Sequence, residues 1–198
     1  MNRRNLVFSL LLVSLLSFAF TPVTTRAQST IADIVVSSCQ TSGEFCTLLA
    51  AVQAADPAVL ALLSNPGVNL TVFAPTNAAF SALLARLGIT ADELLANKQL
   101  VTQVLTYHVL TSARNSTSLI ATSQSSWPDQ CIDTALTIDG VPQPLEFTLD
   151  TDTYDGTPSL IVNFSTVQAA DIAASNGIVH VIDQVLLFGP DVISFCGR

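Results

Sequence analysis

Between Asn69 and Phe80 the chain changes its period. Leu70 to Ala74, Leu-Thr-Val-Phe-Ala, is β-branched and aromatic and reads as a buried strand. Pro75 ends it, because proline has no N–H for the next ladder bond. Thr76 then stands where a helix needs its N-cap, with a hydroxyl able to accept from one of the first unpaired N–H groups. Ala78, Ala79 and Phe80 open a helical pattern that Leu83, Leu84 and Leu87 continue at spacings of three and four, and Gly88 is its natural stop. A strand that turns so abruptly into an amphipathic helix joins two layers of one core. The chain must therefore fold as a mixture of helix and sheet.

The order of the remaining elements refines this. Ile31, Ile34 and Val35 share a helical face behind Thr30, a candidate cap, and Phe45, Leu48, Leu49, Val52 and Ala55 predict a second helix. Asp56-Pro57 closes it or restarts a further turn carrying Val59 to Leu63, and Ser64-Asn65-Pro66-Gly67 is turn chemistry. Beyond Gly88, Thr90 to Glu93 begins a short acidic-capped helix. Leu100, Val101, Val104 and Leu105 form the next apolar face, which runs into Tyr107 to Leu110, where alternation suggests a strand with His108 and Leu110 on one face. Residues 112–135 are rich in Ser, Thr and Gln, without a sustained period, and read as a long surface excursion pinned at Cys131. From Leu136 onward short alternating segments are separated by Asp139-Gly140, Tyr154-Asp155-Gly156 and Asn176-Gly177. Helices first and a strand meander afterwards is an α+β order.

The first 27 residues read as a cleaved secretory signal. Arg3 and Arg4 supply a positive start, Leu6 to Phe20 an apolar run, and Thr25-Arg26-Ala27 small residues where a signal peptidase cuts. A membrane anchor is the rival reading. Ser9, Ser14 and Ser17 interrupt the run, which is shorter than the ~20 residues a spanning helix needs. No transmembrane segment is therefore expected, and no long apolar run before Arg198 suggests a glycolipid anchor. Residues 28–190 are expected to form one domain and 191–198 a C-terminal tail. Three of the seven Lys and Arg leave with the signal while all fifteen Asp and Glu follow it, so the secreted part carries a formal charge of −11. Such a surface repels nucleic acid and anionic lipid, and neither is an expected partner.

Cys39, Cys46, Cys131 and Cys196 all follow the signal, and an even set bound for an oxidising compartment implies two disulfides. Of the three connectivities, a bridge from Cys39 to Cys46 closes easily over the polar turn Gln40 to Glu44. That would leave Cys131 to tie the tail through Cys196.

Three stretches also resemble one family. Thr71-Val-Phe-Ala-Pro-Thr-Asn-x-Ala-Phe80 closely resembles the first signature block of fasciclin domains, extracellular adhesion modules. Val104-Leu-Thr-Tyr-His-Val-Leu110 resembles their tyrosine-histidine segment, and Asn176-Gly-Ile-Val-His-Val-Ile-Asp-x-Val-Leu186 their closing strand. Order and spacing agree over roughly residues 30–190. The departures are the polar excursion, the cysteines, and a single domain where many members carry several. The resemblance implies an α+β fold with N-terminal helices packed on a β-sandwich or wedge of short strands. It also implies a secreted, non-enzymatic protein that binds a cell-surface or matrix protein or glycan, without a cofactor. Because some secreted algal members bind carotenoids, one alternative is a carrier of an apolar small molecule such as a carotenoid or lipid; a separate one is a glycosylated structural wall protein with no single partner.

Residue chemistry agrees with a non-catalytic reading. No Gly-x-Ser-x-Gly elbow, metal-ligand spacing or nucleophile beside a recognisable base occurs. His180 alternates with Ile178 and Ile182, and the plain expectation is a packed, hydrogen-bonded histidine. A solvent-facing patch near Tyr107, His108, Asp171 and Ile172 is the expected adhesive site. Asp171-Ile172 stands where integrin-binding members carry Asp-Ile, although an ordinary cap on a helical turn from Ile172 to Ala174 is the favoured role for Asp171. Asn69, Asn115 and Asn163 head N-glycosylation sequons, and Asn115, in the polar excursion, is the best placed.

Overall fold

Every residue of the first strand, β1 (Leu70–Pro75), is buried. In the computed structural model, which describes residues 29–126, 129–153, 156–189 and Cys196, this strand has helices on one face and the inside of a β-barrel on the other. Leu70, Val72 and Ala74 join the helical core, whereas Phe73 turns inward to Leu110, Leu145, Phe147, Val162 and Ile182. The two-residue period thus sorts one strand between two hydrophobic clusters.

Six helices flank this strand. α1 (Ile31–Ser42) opens with a capping box in which Thr30 and Asp33 satisfy each other's backbone N–H. α2 (Cys46–Ala54) and α3 (Pro57–Ser64) follow, α3 capped by Asp56 with proline in its first turn. Beyond β1, Thr76 caps α4 (Asn77–Leu87) by accepting from the Ala79 N–H, and Gly88 ends it at φ 67°. α5 (Ala91–Ala96) repeats the capping box with Thr90 and Glu93, and Asn97 caps α6 (Lys98–Tyr107). Asn77 also clasps the turn before α2. Its amide nitrogen donates to the Gly43 carbonyl at 2.7 Å, its carbonyl accepts the Thr47 N–H at 3.1 Å, and its own N–H donates to Glu44 at 2.7 Å.

The barrel comprises β1, β2 (Val109–Leu110), β3 (Cys131–Ile138), β4 (Val141–Asp150), β5 (Ser159–Val162), β6 (Ser165–Ala174) and β7 (Gly177–Ile182), with α7 (Ser116–Ser123) between β2 and β3. Neighbours pair antiparallel around the ring until β7 closes it in parallel on β1, from Leu70 opposite Gly177 to Pro75 opposite Ile182. The α+β class holds, with the short strands carried to full closure. Asp139 and Gly140, both at positive φ, form the two-residue hairpin expected between β3 and β4. At the ring's seam a Cβ on Gly177 would stand 2.1 Å from the Leu70 carbonyl oxygen, so only glycine fits. Beside it, the fully buried Asn176 accepts the Ile31 N–H at 2.9 Å and donates to the Leu63 and Asn65 carbonyls at 2.8 and 3.1 Å. One side chain therefore ties the start of α1 and the end of α3 to the closing strand.

Three local expectations change. Residues 112–135 contain α7, capped by the Asn115 side chain, and the start of β3. Leu119 is the buried anchor of α7 in the barrel core, too sparse an apolar signal to set a period. Tyr107 completes α6, so the strand expected from residue 107 is only Val109–Leu110, and all four residues from Tyr107 to Leu110 are buried. No helical turn runs from Ile172 to Ala174, for those residues lie within β6. The signal region 1–27, Trp127-Pro128, Tyr154-Asp155 and all of the tail 191–198 except Cys196 lie outside the described residues.

Candidate functional site

Tyr107 and His108 occupy the interior, at 1% and 2% exposure, so they do not form the solvent-facing patch expected of them. The reason is positional: they end a helix that packs against the barrel. The Tyr107 hydroxyl donates to the Pro144 carbonyl at 2.9 Å and accepts from the Asn163 amide at 3.0 Å. Burial pushes its ionisation up to about 12, against the lowering effect of the Asn163 bond. His108 Nδ1 lies 2.7 Å from the Val104 carbonyl, and its Nε2 accepts the Leu186 N–H at 2.9 Å, which assigns the proton to Nδ1. Burial lowers this imidazole to about 4, with the Val104 bond opposing.

These two residues hold a neighbouring segment in place. By holding Leu186, His108 fixes the strap that follows β7, and the Phe188 ring meets Tyr107 edge-on with centroids 6.0 Å apart. Leu187 and Phe188 then form one wall of an apolar cleft of about 280 Å³. Phe80, Leu83 and Leu87 of α4, Leu94 of α5, and Leu100 and Val104 of α6 line the remainder. Each of its eleven lining residues is apolar, and Leu87 on its rim is 48% exposed. The helical faces were readable in the sequence. The contribution of the strap was not, since Leu186 meets His108 across a separation of 78 residues.

Asp171 and Ile172 lie in β6, where the β6–β7 register shifts between Ala169 and Ile172 and Asp171 adopts φ 62°. Asp171 is exposed, whereas Ile172 is half-buried against the helical core. The Asp171 carboxylate accepts both the backbone N–H and the hydroxyl of Ser116, the first residue of α7. It therefore caps a helix distant in sequence instead of the one expected next to it. Burial raises this carboxyl, but the Ser116 hydrogen bonds outweigh it and hold the group below its ordinary value. Behind it, His180 is fully buried: Nδ1 accepts the Asp171 N–H at 3.3 Å and Nε2 pairs with the Arg114 carbonyl at 2.9 Å. Burial lowers the His180 imidazole against the Arg114 bond and the Asp171 charge, and the ring stacks on Phe73 at 5.6 Å. Thr71 completes the network by donating to the Ser112 carbonyl and accepting the Arg114 N–H, each at 2.7 Å.

The sequons differ in their freedom. Asn69 is exposed at the start of β1. Asn115 caps α7 through its oxygen, and among the described residues its amide nitrogen makes no hydrogen bond. Asn163, at φ 52° in the turn between β5 and β6, accepts the Glu146 N–H through its oxygen and donates to Tyr107 through the nitrogen a glycan would occupy. Cys39 is bonded to Cys46, and Cys131 to Cys196.

Comparison with known proteins finds relatives of this sequence. The sequence model of the Fasciclin domain matches residues 43–188. Protein sll1483 of Synechocystis sp. is 37% identical over 167 residues, covering 83% of this chain and 79% of the relative. The immunogenic protein MPB70 of Mycobacterium bovis is 35% identical over 132 residues, 62% of this chain and 56% of MPB70. The cell surface glycolipoprotein MPB83 of the same species is 33% identical over 132 residues, covering 62% of this chain and 50% of MPB83. Among solved structures, the FAS1 domain pair of the insect cell adhesion molecule Fasciclin I aligns with a TM-score of 0.49 at 21% identity, over 69% of this chain and 42% of that one.

Proposed function

This chain belongs to the fasciclin domain family, and from that premise we propose that it is a secreted, non-enzymatic module that binds a partner on a cell surface or in extracellular matrix. The observation that carries the reading is the commitment of its would-be catalytic groups. Both nitrogens of His108 and of His180 engage backbone groups, and the Asp171 carboxylate is held by Ser116. Such groups serve as joints, and binding is what the surface they hold in place can do. Two disulfides suit the oxidising exterior. One similar protein, MPB83, is described as a cell surface glycolipoprotein. The contact surface is the rim that presents Asp171 beside the start of α7. Immobilised protein should retain cells or matrix, and Asp171→Ala, with its fold verified by circular dichroism, should retain fewer. Equal retention by the two proteins removes Asp171 from the contact; no retention by either sinks the adhesive reading.

A second reading, carriage of an apolar small molecule, is favoured by the cleft between α4, α5, α6 and the strap. Its volume lies just below the ~300 Å³ at which ordinary small-ligand pockets begin. A single short chain fits such a space better than a whole carotenoid. Apolar ligand co-purifying with the protein from its native source is the direct check.

A further inference from the structure

Beside the apolar cleft stands a charge. Arg86 occupies α4 between Leu83 and Leu87, two of the residues lining the cleft. Two shallower grooves contain Arg86, one sharing Leu83 with the cleft and the other sharing Leu187. Arg86 thus borders the cleft through the shared walls Leu83 and Leu187 without lining it. Its side chain is exposed and has no hydrogen-bond or ion-pair partner among the described residues. The other cations described there are engaged, Lys98 with Asp56 at 3.5 Å and Arg114 with Ser112 and Ser118 at 3.4 and 3.3 Å.

We propose that the cleft and Arg86 together form a binding site for a free medium-chain fatty carboxylate, its alkyl tail between α4, α5 and α6 and its head on the guanidinium. This assignment rests on the carrier reading and names its ligand class. The tail follows from the lining: with no polar side chain among the eleven, a hydroxylated or amide-bearing tail would lose its hydrogen bonds to water without replacement. Its length follows from volume. A methylene takes up about the space of a liquid water, ~30 Å³, so a cleft of about 280 Å³ admits a single chain near ten carbons and excludes two-chain lipids. The head follows from charge. Guanidinium pairs carboxylate through two parallel N–H bonds, and a fatty carboxylate is the simplest molecule with an apolar chain and that head. A free acid is the source, since a cleft of about 280 Å³ holds one detached chain and leaves no room for the second chain of a bilayer lipid.

The test titrates the secreted chain with sodium dodecanoate below its micelle concentration, by calorimetry and by methyl NMR. Dodecanol and dodecyltrimethylammonium are matched controls, and Arg86→Gln is the variant, an exposed site whose loss leaves the core untouched. Dodecanoate should shift the methyl signals of Leu83, Leu94 and Leu100, and its affinity should fall about ten-fold in Arg86→Gln at low salt, as loss of one charge-assisted pair implies. Dodecanol should bind both proteins alike. A second variant, Leu87→Asp on the exposed rim, should weaken both ligands. Equal affinity of wild type and Arg86→Gln for dodecanoate, or stronger binding of the ammonium, overturns the proposal; dodecanol bound in the cleft would then leave the carrier reading standing. Silence of the cleft methyls with every ligand, or binding only to anionic vesicles, overturns both.

Discussion

The side-chain amide of Asn163 donates to the hydroxyl of Tyr107 across 3.0 Å, joining the turn between β5 and β6 to the last residue of α6. The same amide accepts the Glu146 N–H, and its residue holds a positive φ. Asn163→Ala should therefore lower stability by ~2–4 kcal/mol, combining two lost hydrogen bonds with left-handed strain. Asn163→Gly should recover the strain part. Urea unfolding of the two variants separates the contributions, and equal stability of both would place all the loss in the hydrogen bonds.

A glycan on Asn163 would replace one of the two hydrogens on the nitrogen that donates to Tyr107, whereas the Asn115 amide nitrogen makes no hydrogen bond among the described residues. Protein from a glycosylating host should lose mass with glycosidase, and Asn115→Gln should remove most of the shift. A shift unchanged by Asn115→Gln and abolished by Asn163→Gln reverses the assignment.

Acid should loosen the fold through His108. Its folded value of about 4 lies below the ordinary 6.5. Stability from the neutral ring is thus complete above about pH 6.5 and drains away as the pH falls toward 4, by ~3 kcal/mol in total. His180 is also lowered and adds in the same direction. His108→Gln, which can bond but not titrate, should flatten the profile between those values. Chemical denaturation at stepped pH reads this directly; an unchanged slope would assign the acid sensitivity elsewhere.

The seam of the barrel is the position least tolerant of change. Gly177→Ala would drive a methyl to 2.1 Å from the Leu70 carbonyl oxygen, and backbone there is fixed on both sides by the β1–β7 ladder. It should unfold the protein or lower its melting temperature by tens of degrees. Asn176→Ala, one residue earlier, should cost ~3 kcal/mol through orphaned buried groups.

The two disulfides should contribute unequally. Their sequence separations are 7 for Cys39–Cys46 and 65 for Cys131–Cys196. Chain-entropy arguments give ~2 kcal/mol for the short loop and ~4 kcal/mol for the long one. Paired Ser substitutions compared by guanidinium unfolding test the order.

Local chemistry was legible in the sequence wherever the determining atoms are neighbours. The caps at Thr30, Thr76 and Thr90, the stop at Gly88 and the Asp139-Gly140 hairpin each involve partners within four residues, and each appears in the fold. Tyr107 and His108 resisted because alternation suggested a strand, while their actual positions depend on Pro144 and Leu186. Asp171 offered an acceptor whose donor proved to be Ser116, 55 residues away. α7 has one buried leucine among serines and threonines, so only its contact with the barrel gives it an inside. The cleft was hidden for a related reason: apolar helical faces do not reveal whether their neighbours fill the space between them.

Parallel closure of β7 on β1 also sets a timetable. Leu70 to Pro75 leaves the ribosome more than a hundred residues before Gly177 to Ile182, its ladder partner. At ~5–20 residues per second this buried strand waits on the order of ten seconds for its longer ladder, six residue pairs with β7 against two with β2. During that interval Leu-Thr-Val-Phe-Ala is an open edge, able to pair with any other nascent chain. The same delay keeps the barrel from closing early, so the polypeptide stays threadable until β7 has emerged.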